Sequence, residues 1–222
     1  MRHLNQFITE YIIKKKLDKP IDSEDHYEYY PKTREELVKN IKELIKDNRY
    51  NFNCIDTSEI TDMSYLFKDL GDKIENNNFD VSEWNVSNVE TMEYMFCLCQ
   101  NFTGKGLENW DVSNVTNMSD MFNDCNKFDC DLSKWNVSKL KYASYMFYNC
   151  KSFEGKGLEN WDVNNISNML FAFANCKKLN CDNVKNWKVN DNCNISGMFT
   201  NCSNKPDWYK EKSKDKRNKY NL

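Results

Sequence analysis

Hydrophobic positions along this chain return in a fixed order. In Leu107-Glu-Asn-Trp110-Asp-Val112-Ser-Asn-Val115-Thr-Asn-Met118-Ser-Asp-Met121-Phe122-Asn-Asp-Cys125 the apolar residues first alternate and then fall at helical spacing. The same order recurs around Trp84, Trp135, Trp161 and Trp187, with steps of 26, 25, 26 and 26 residues between tryptophans. A phenylalanine follows in step at Phe96, Phe122, Phe147, Phe173 and Phe199, and a cysteine at Cys99, Cys125, Cys150, Cys176 and Cys202. A weaker first copy has Ile55 in the tryptophan position and Phe67 in the phenylalanine position. Repetition at this period is the mark of a stacked array, in which one unit cannot bury its apolar face alone.

Within a unit, Trp110 and Val112 flank Asp111, the alternation of a short strand with one buried face. Met118, Met121, Phe122 and Cys125 fall at i, i+3, i+4 and i+7, which predicts one stripe of a short helix. The expected fold class is α/β: a right-handed leucine-rich-repeat-like solenoid of about six strand–helix-turn coils. Trp84, Trp110, Trp135, Trp161 and Trp187 form one core ladder; Phe67, Phe96, Phe122, Phe147, Phe173 and Phe199 form another. Ahead of the repeats, Thr33-Arg-Glu-Glu36 matches a capping box, and Leu37, Ile41, Leu44 and Ile45 continue at helical spacing. The expected organisation is an amphipathic leader over 1–16, a linker over 17–32, an N-terminal capping helix over 33–50, repeats over 51–205 and a basic tail over 206–222.

Composition narrows the chemistry. The chain has 222 residues, a formal charge of −3, 40% hydrophobic and 14% aromatic residues. That is enough apolar surface for a core, and it lacks the basic excess of a dedicated nucleic-acid binder. No apolar run is long enough to span a bilayer. Met1 to Lys16 does not read as a secretory signal, which predicts a cytoplasmic or virion-associated protein rather than surface display. Asparagine is abundant, at 33 residues, and four of the six glycines sit in two equivalent turns, at Gly104, Gly106, Gly155 and Gly157.

Two histidines in the whole chain leave little for His-based catalysis or metal binding. The cysteine ladder would tolerate a disulfide between neighbouring coils, but five equivalent positions cannot all pair, so the reading is small buried hydrophobes. Cys97-Leu-Cys99 lacks zinc-site spacing. With no hydrolase, phosphate-loop or dinucleotide motif, no catalytic residue, cofactor site or metal site is assigned.

The units from Trp110 to Cys125 resemble the tandem W-D-V-S-N-V-T-N-M-x-x-M-F-x-x-C repeats of the BspA-like leucine-rich-repeat proteins. The opening unit Ile55 to Phe67 resembles their usual first repeat, and Tyr30 to Leu37 the short helix that leads into such arrays. The resemblance implies a non-enzymatic interaction surface with a protein partner. A looser one links Met1 to Glu10 to the amphipathic leaders that target internal proteins into T4-like phage heads.

The expected function is a non-catalytic interaction or scaffold module, and the alternative is a packaged virion component addressed by its leader. The candidate partner surface is the outward stripe Asp56, Asn85, Asp111, Asn136 and Asp162, with Glu59, Asn88, Asn114, Lys139 and Asn165 beside it. The same stripe also reads as a merely solvated face. Tyr94, Tyr145 and Tyr148 are candidate aromatic anchors. Neither the partner nor the oligomeric state is legible.

Overall fold

The computed structural model describes residues 27–68, 70 and 79–212. The expected leader over 1–16 lies outside them. Helix α1, Arg34–Lys46, opens the described chain. Thr33 caps it by accepting from the Glu36 N–H, while the Glu36 carboxylate accepts from the Lys32 N–H at 2.7 Å. Its buried stripe, Leu37, Ile41 and Leu44, closes over the first coil. Part of the expected linker is built in as well. Tyr29 pairs with Ile55 in parallel, and Arg49 holds Glu28 through two bonds of 2.9 and 2.7 Å.

Beyond α1 the chain winds as stacked coils, but not as the strand–helix-turn solenoid the spacing predicts. Among the described residues the repeats contain no strand and no α-helix; two short 3-10 turns, Leu158–Asn160 and Cys181–Val184, are their only helical pieces. The coils are built from successive tight turns. In one coil Trp110, Val115, Met121, Asn123, Cys125 and Phe128 each donate their N–H to the carbonyl three residues back. The helical spacing of Met118, Met121, Phe122 and Cys125 has a different cause. Asp120 and Asp124 take left-handed φ of 57° and 61°, which an α-helix does not allow. The alternate N–H groups of Met118, Asp120, Phe122 and Asp124 then turn away from their own coil and donate to Tyr142, Ser144, Met146 and Tyr148 of the next. Among the described residues parallel pairing between coils is limited to isolated bridges, Asn51 with Asp80 and the column Asp62, Thr91, Asn117, Tyr142, Asn168 and Asn194, so no ladder grows into a strand.

These inter-coil bonds run in continuous rows. Tyr65 N–H donates to Glu93, Tyr94 to Ser119, Asp120 to Ser144, Tyr145 to Leu170 and Phe171 to Ser196, each carbonyl sharing a peptide with the next donor. Aligned peptide dipoles therefore add along the stack as they do along a helix. At the carbonyl end of this row Arg34 Nε donates to Ser64 at 2.7 Å, placing a cation where the dipole favours one.

The interior is two aromatic ladders. Phe67, Phe96, Phe122, Phe147, Phe173 and Phe199 stack at 5.3–5.7 Å between centroids. Indoles stack at 6.3–6.5 Å in the pairs Trp84–Trp110, Trp135–Trp161 and Trp161–Trp187. Every indole N–H is satisfied by the preceding coil: Trp84 donates to Phe52, Trp110 to Val81, Trp135 to Leu107, Trp161 to Leu132 and Trp187 to Leu158. A buried tryptophan needs such a partner, and the repeat supplies it each time. Removing one ladder ring would cost about 3–5 kcal/mol through the cavity left behind.

Two further details explain sequence features. Gly157 (φ 91°) passes so close to the coil below that an added Cβ would lie 2.1 Å from Ser133 N, so only glycine fits. At the far end, residues 207–212 are helical, and Trp208 and Tyr209 set their ring edges against Phe199. Trp208 donates to Val184 at 2.9 Å, continuing the indole bonding pattern. The first part of the expected tail is thus a lid on the last coil.

Candidate interaction surface

The polar stripe beside the tryptophans is largely consumed by the fold. Asp56, Asn85, Asp111, Asn136 and Asp162 each accept, through the side-chain oxygen, the backbone N–H two residues on, at 3.0–3.1 Å. These are Asx-turns, which hold each coil's corner. In the adjacent row the Asn88, Asn114 and Asn165 amides donate to the Ser58, Ser87 and Ser138 carbonyls of the preceding coil, all at 2.7 Å. Lys139 donates to Asn114 Oδ1 at 2.6 Å, and Glu59 pairs with Lys32 at 2.6 Å. The abundance of asparagine follows from this use: an amide bonds backbone within the coil or across to the next.

A different column stands out on the turn face. Two positions before each phenylalanine rung lie Tyr65, Tyr94, Asp120, Tyr145, Phe171 and Gly197, all with φ between 52° and 64°. Four are bulky aromatics in the left-handed region, which costs roughly 1–2 kcal/mol for a residue carrying a Cβ. Their rings stack in pairs. Tyr65 lies on Tyr94 at 4.8 Å and 14°, and Tyr145 on Phe171 at 5.3 Å and 24°. Tyr148 tilts against Tyr145 at 5.5 Å. Tyr65 is 42% exposed, while Tyr94, Tyr145 and Phe171 are half-buried. The last position is glycine because Phe171 covers it: a Cβ on Gly197 would lie 2.3 Å from that ring. The structure thus brings Tyr94 and Tyr145 into one column and adds Tyr65 and Phe171, which sequence reasoning missed. Aligning the repeats on their phenylalanines would have revealed this column as mostly aromatic.

Charge gathers at one end of the column. Asp120 is buried, and its carboxylate accepts from the Asn123 amide at 2.6 Å and from the Tyr94 hydroxyl. Burial raises its pKa above the usual carboxylate range despite those bonds. Burial, then Asp120 and Asp62, raise Glu93 as well. Tyr94 is pushed up to about 12, by burial first and by Asp120 next. Lys68 Nζ stands 5.3 Å from the Tyr65 centroid and 4.9 Å from that of Tyr94, within cation–π range.

All ten cysteines are thiols, and Cys54 and Cys202 alone are not fully buried. Each ladder thiol donates to a phenylalanine carbonyl of the coil before: Cys99 to Phe67, Cys125 to Phe96, Cys150 to Phe122, Cys176 to Phe147 and Cys202 to Phe173, at 2.9–3.2 Å. Burial holds Cys125, Cys150 and Cys176 well above the ordinary thiol pKa, against nucleophilic use. Among the described residues no cluster of three or more His, Cys, Asp or Glu could hold a metal ion, and no helix is long and apolar enough to cross a membrane.

This repeat carries a family signature. A model described as Mycoplasma protein of unknown function, DUF285, matches twice, over residues 61–157 and 146–214. The two matches together span well over half of the chain. The chain belongs to the DUF285 family. This corrects the BspA-like leucine-rich-repeat resemblance: the matching model is DUF285, a BspA-related family whose description assigns no function. No curated protein and no solved structure matches the chain.

Proposed function

We propose that this DUF285 chain is a non-catalytic protein-interaction module whose contact surface is the turn-face column Tyr65, Tyr94, Tyr145 and Phe171. One observation carries the reading. Four bulky rings occupy a left-handed register that Asp120 and Gly197 show can be filled by residues suited to it. Strain kept at partly exposed aromatic positions marks a surface under a demand other than folding. Aromatic side chains on a rigid frame also supply contact area at low entropic cost. Leu98, at φ 66°, and Tyr142 are further exposed large hydrophobic residues of the repeats, at 40% and 47%.

The test replaces Tyr65, Tyr94, Tyr145 and Phe171 with glycine, which takes the same backbone without strain. Immobilised wild-type and quadruple-glycine proteins are compared for capture from an extract of the source organism, with Lys188→Glu on the tryptophan face as control. Partners retained by wild type and Lys188→Glu but absent from the glycine variant support the column. Identical capture by all three removes it as the contact surface.

A further inference from the structure

We propose that the far end of the stack binds an acidic peptide segment of another protein through the backbone N–H groups of Gly197 and Asn201. This edge is a different feature from the aromatic rings and is defined by backbone bonds. In the coil before the last, Met169, Phe171, Phe173 and Asn175 donate to the Asn194, Ser196, Met198 and Thr200 carbonyls of the coil that follows. The equivalent donors of the last coil are Ile195, Gly197, Phe199 and Asn201. None of these four N–H groups has an acceptor among the described residues. Backbone donors in a folded chain are almost always paired, so four in one row need an explanation. Solvent does not supply it for Ile195 and Phe199, which are only 3% and 0% exposed. Gly197, half-buried, and Asn201, exposed, are the two a ligand reaches as the fold stands.

The two ends of the stack are finished differently. At the carbonyl end Arg34 donates to Ser64, and α1 closes over the first coil. At the N–H end the lid sets Trp208 and Tyr209 against Phe199, and its side chains donate to Val184, Val189 and Asp191 around Trp187. No described lid residue accepts from the row. The row offers donors only, which selects its occupant. Two copies cannot pair head to head, since both rows donate; head to tail, the row meets the end that Arg34 and α1 cover. The aligned peptides leave partial positive charge here, the condition under which exposed N–H groups bind anions. From Asn192 to Asn204 the chain has no acidic or basic residue to offset that charge. The acids flanking this stretch, Asp191 and Asp207, are paired with Lys212 and Lys210. Lys177, whose carbonyl holds the Ser203 hydroxyl, and Lys205 are exposed, and neither is in an ion pair among the described residues. Acceptors carrying negative charge therefore fit this end, and a basic segment is repelled.

The probe is an N-acetylated Glu-Gly-Glu-Gly-Glu amide, titrated into the full-length protein while backbone amide signals are followed by NMR. The Gln-Gly-Gln-Gly-Gln and Lys-Gly-Lys-Gly-Lys analogues are run alongside. Cys193 allows a synthetic 193–222 segment to be ligated to 1–192, either unchanged or with glycolic acid in place of Gly197, which deletes that one N–H. The acidic peptide should move the Gly197 and Asn201 amide protons downfield. The ester chain should bind it about tenfold more weakly, the worth of one charge-assisted hydrogen bond. Its urea midpoint should match that of the unchanged ligated chain, because the deleted N–H had no acceptor to lose. Absence of binding to the unchanged chain, or undiminished binding to the ester chain, overturns the proposal. A lowered midpoint for the ester chain also overturns it, since the N–H is then already engaged within the fold. Equal binding of the glutamine or lysine peptide removes the acidic partner. Inorganic phosphate that displaces the peptide at equal concentration assigns the edge to a phosphate-bearing ligand instead. Binding that the quadruple-glycine variant abolishes moves the peptide to the aromatic column.

Discussion

Two columns of left-handed residues climb the same stack, and they are filled by opposite rules. One holds Leu98, Asp124, Asn149, Asn175 and Asn201, at φ of 57–66°. Apart from Leu98 these are the residue types that tolerate this backbone best. They also bond one another: Asn149 donates to Asp124 Oδ1 at 2.7 Å and Asn201 to Asn175 Oδ1 at 2.8 Å. The other holds Tyr65, Tyr94, Asp120, Tyr145, Phe171 and Gly197 at equal φ. Both columns serve one backbone purpose, turning alternate N–H groups toward the next coil. The second fills that backbone with disfavoured side chains at four of six positions, the first only at Leu98. Leu98 aside, the amide column is explained by folding alone, whereas the aromatic column needs a further reason, which the proposed contact surface supplies.

The contrast is broken most sharply on the amide side. Asn149→Val places a β-branched residue at φ 58° and deletes the bond to Asp124. Left-handed strain of roughly 1–2 kcal/mol and a lost hydrogen bond of about 1 kcal/mol should add, for a loss of about 2–3 kcal/mol. Urea unfolding measures this; a cost under about 1 kcal/mol would mean the amide column is not set by backbone preference.

On the aromatic side the expected effect is smaller and of uncommon form. Tyr145→Gly relieves strain of about 1–2 kcal/mol but gives up stacking on Phe171, worth about 0.5–1.5 kcal/mol, and lowers backbone order in the unfolded chain. The terms nearly cancel, so the urea midpoint should shift by less than the equivalent of about 1 kcal/mol. A loss of about 3 kcal/mol or more would make the ring a structural rung and remove the contrast between the columns.

Why the sequence disclosed one column's role and hid the other's follows from what periodicity records. The ladders Trp84 to Trp187 and Phe67 to Phe199 repeat an identity, so they were readable as stacked interior rings. The spacing Met118, Met121, Phe122, Cys125 misled because turns with left-handed residues at Asp120 and Asp124 bury the same positions as a helix does. Only the destination of the N–H groups separates the two, and no residue type records it. The stripe from Asp56 to Asp162 read as a surface because its residues are polar; its Asx bonds to Ser58, Ser87, Ser113, Ser138 and Asn164 are backbone contacts that polarity alone does not show. The aromatic column stayed hidden because Asp120 and Gly197 interrupt its identity, and its distinguishing property is a dihedral angle.

Asp120 gives the smallest and most pointed test of the comparison, because it is the one acidic residue in the aromatic column. Its carboxyl is buried, and burial raises its pKa. A group whose folded pKa exceeds its unfolded value contributes stability that is complete below the unfolded pKa, near 3.9, and is lost as pH rises through the folded pKa. At neutral pH the ionised side chain is therefore a net cost, even with the Asn123 amide, the Tyr94 hydroxyl and the distant Lys68 charge favouring it. Asp120→Asn keeps an acceptor for Asn123, suits the left-handed backbone and removes a like charge from Glu93. The variant should be more stable than wild type at pH 7, by an increment that shrinks as pH falls toward 4. Thermal melts across that range measure it. Should the increment instead grow toward acid, Asp120 is held by its hydrogen bonds as a favourable carboxylate, and the column's polar rung belongs with the amide column rather than with the tyrosines.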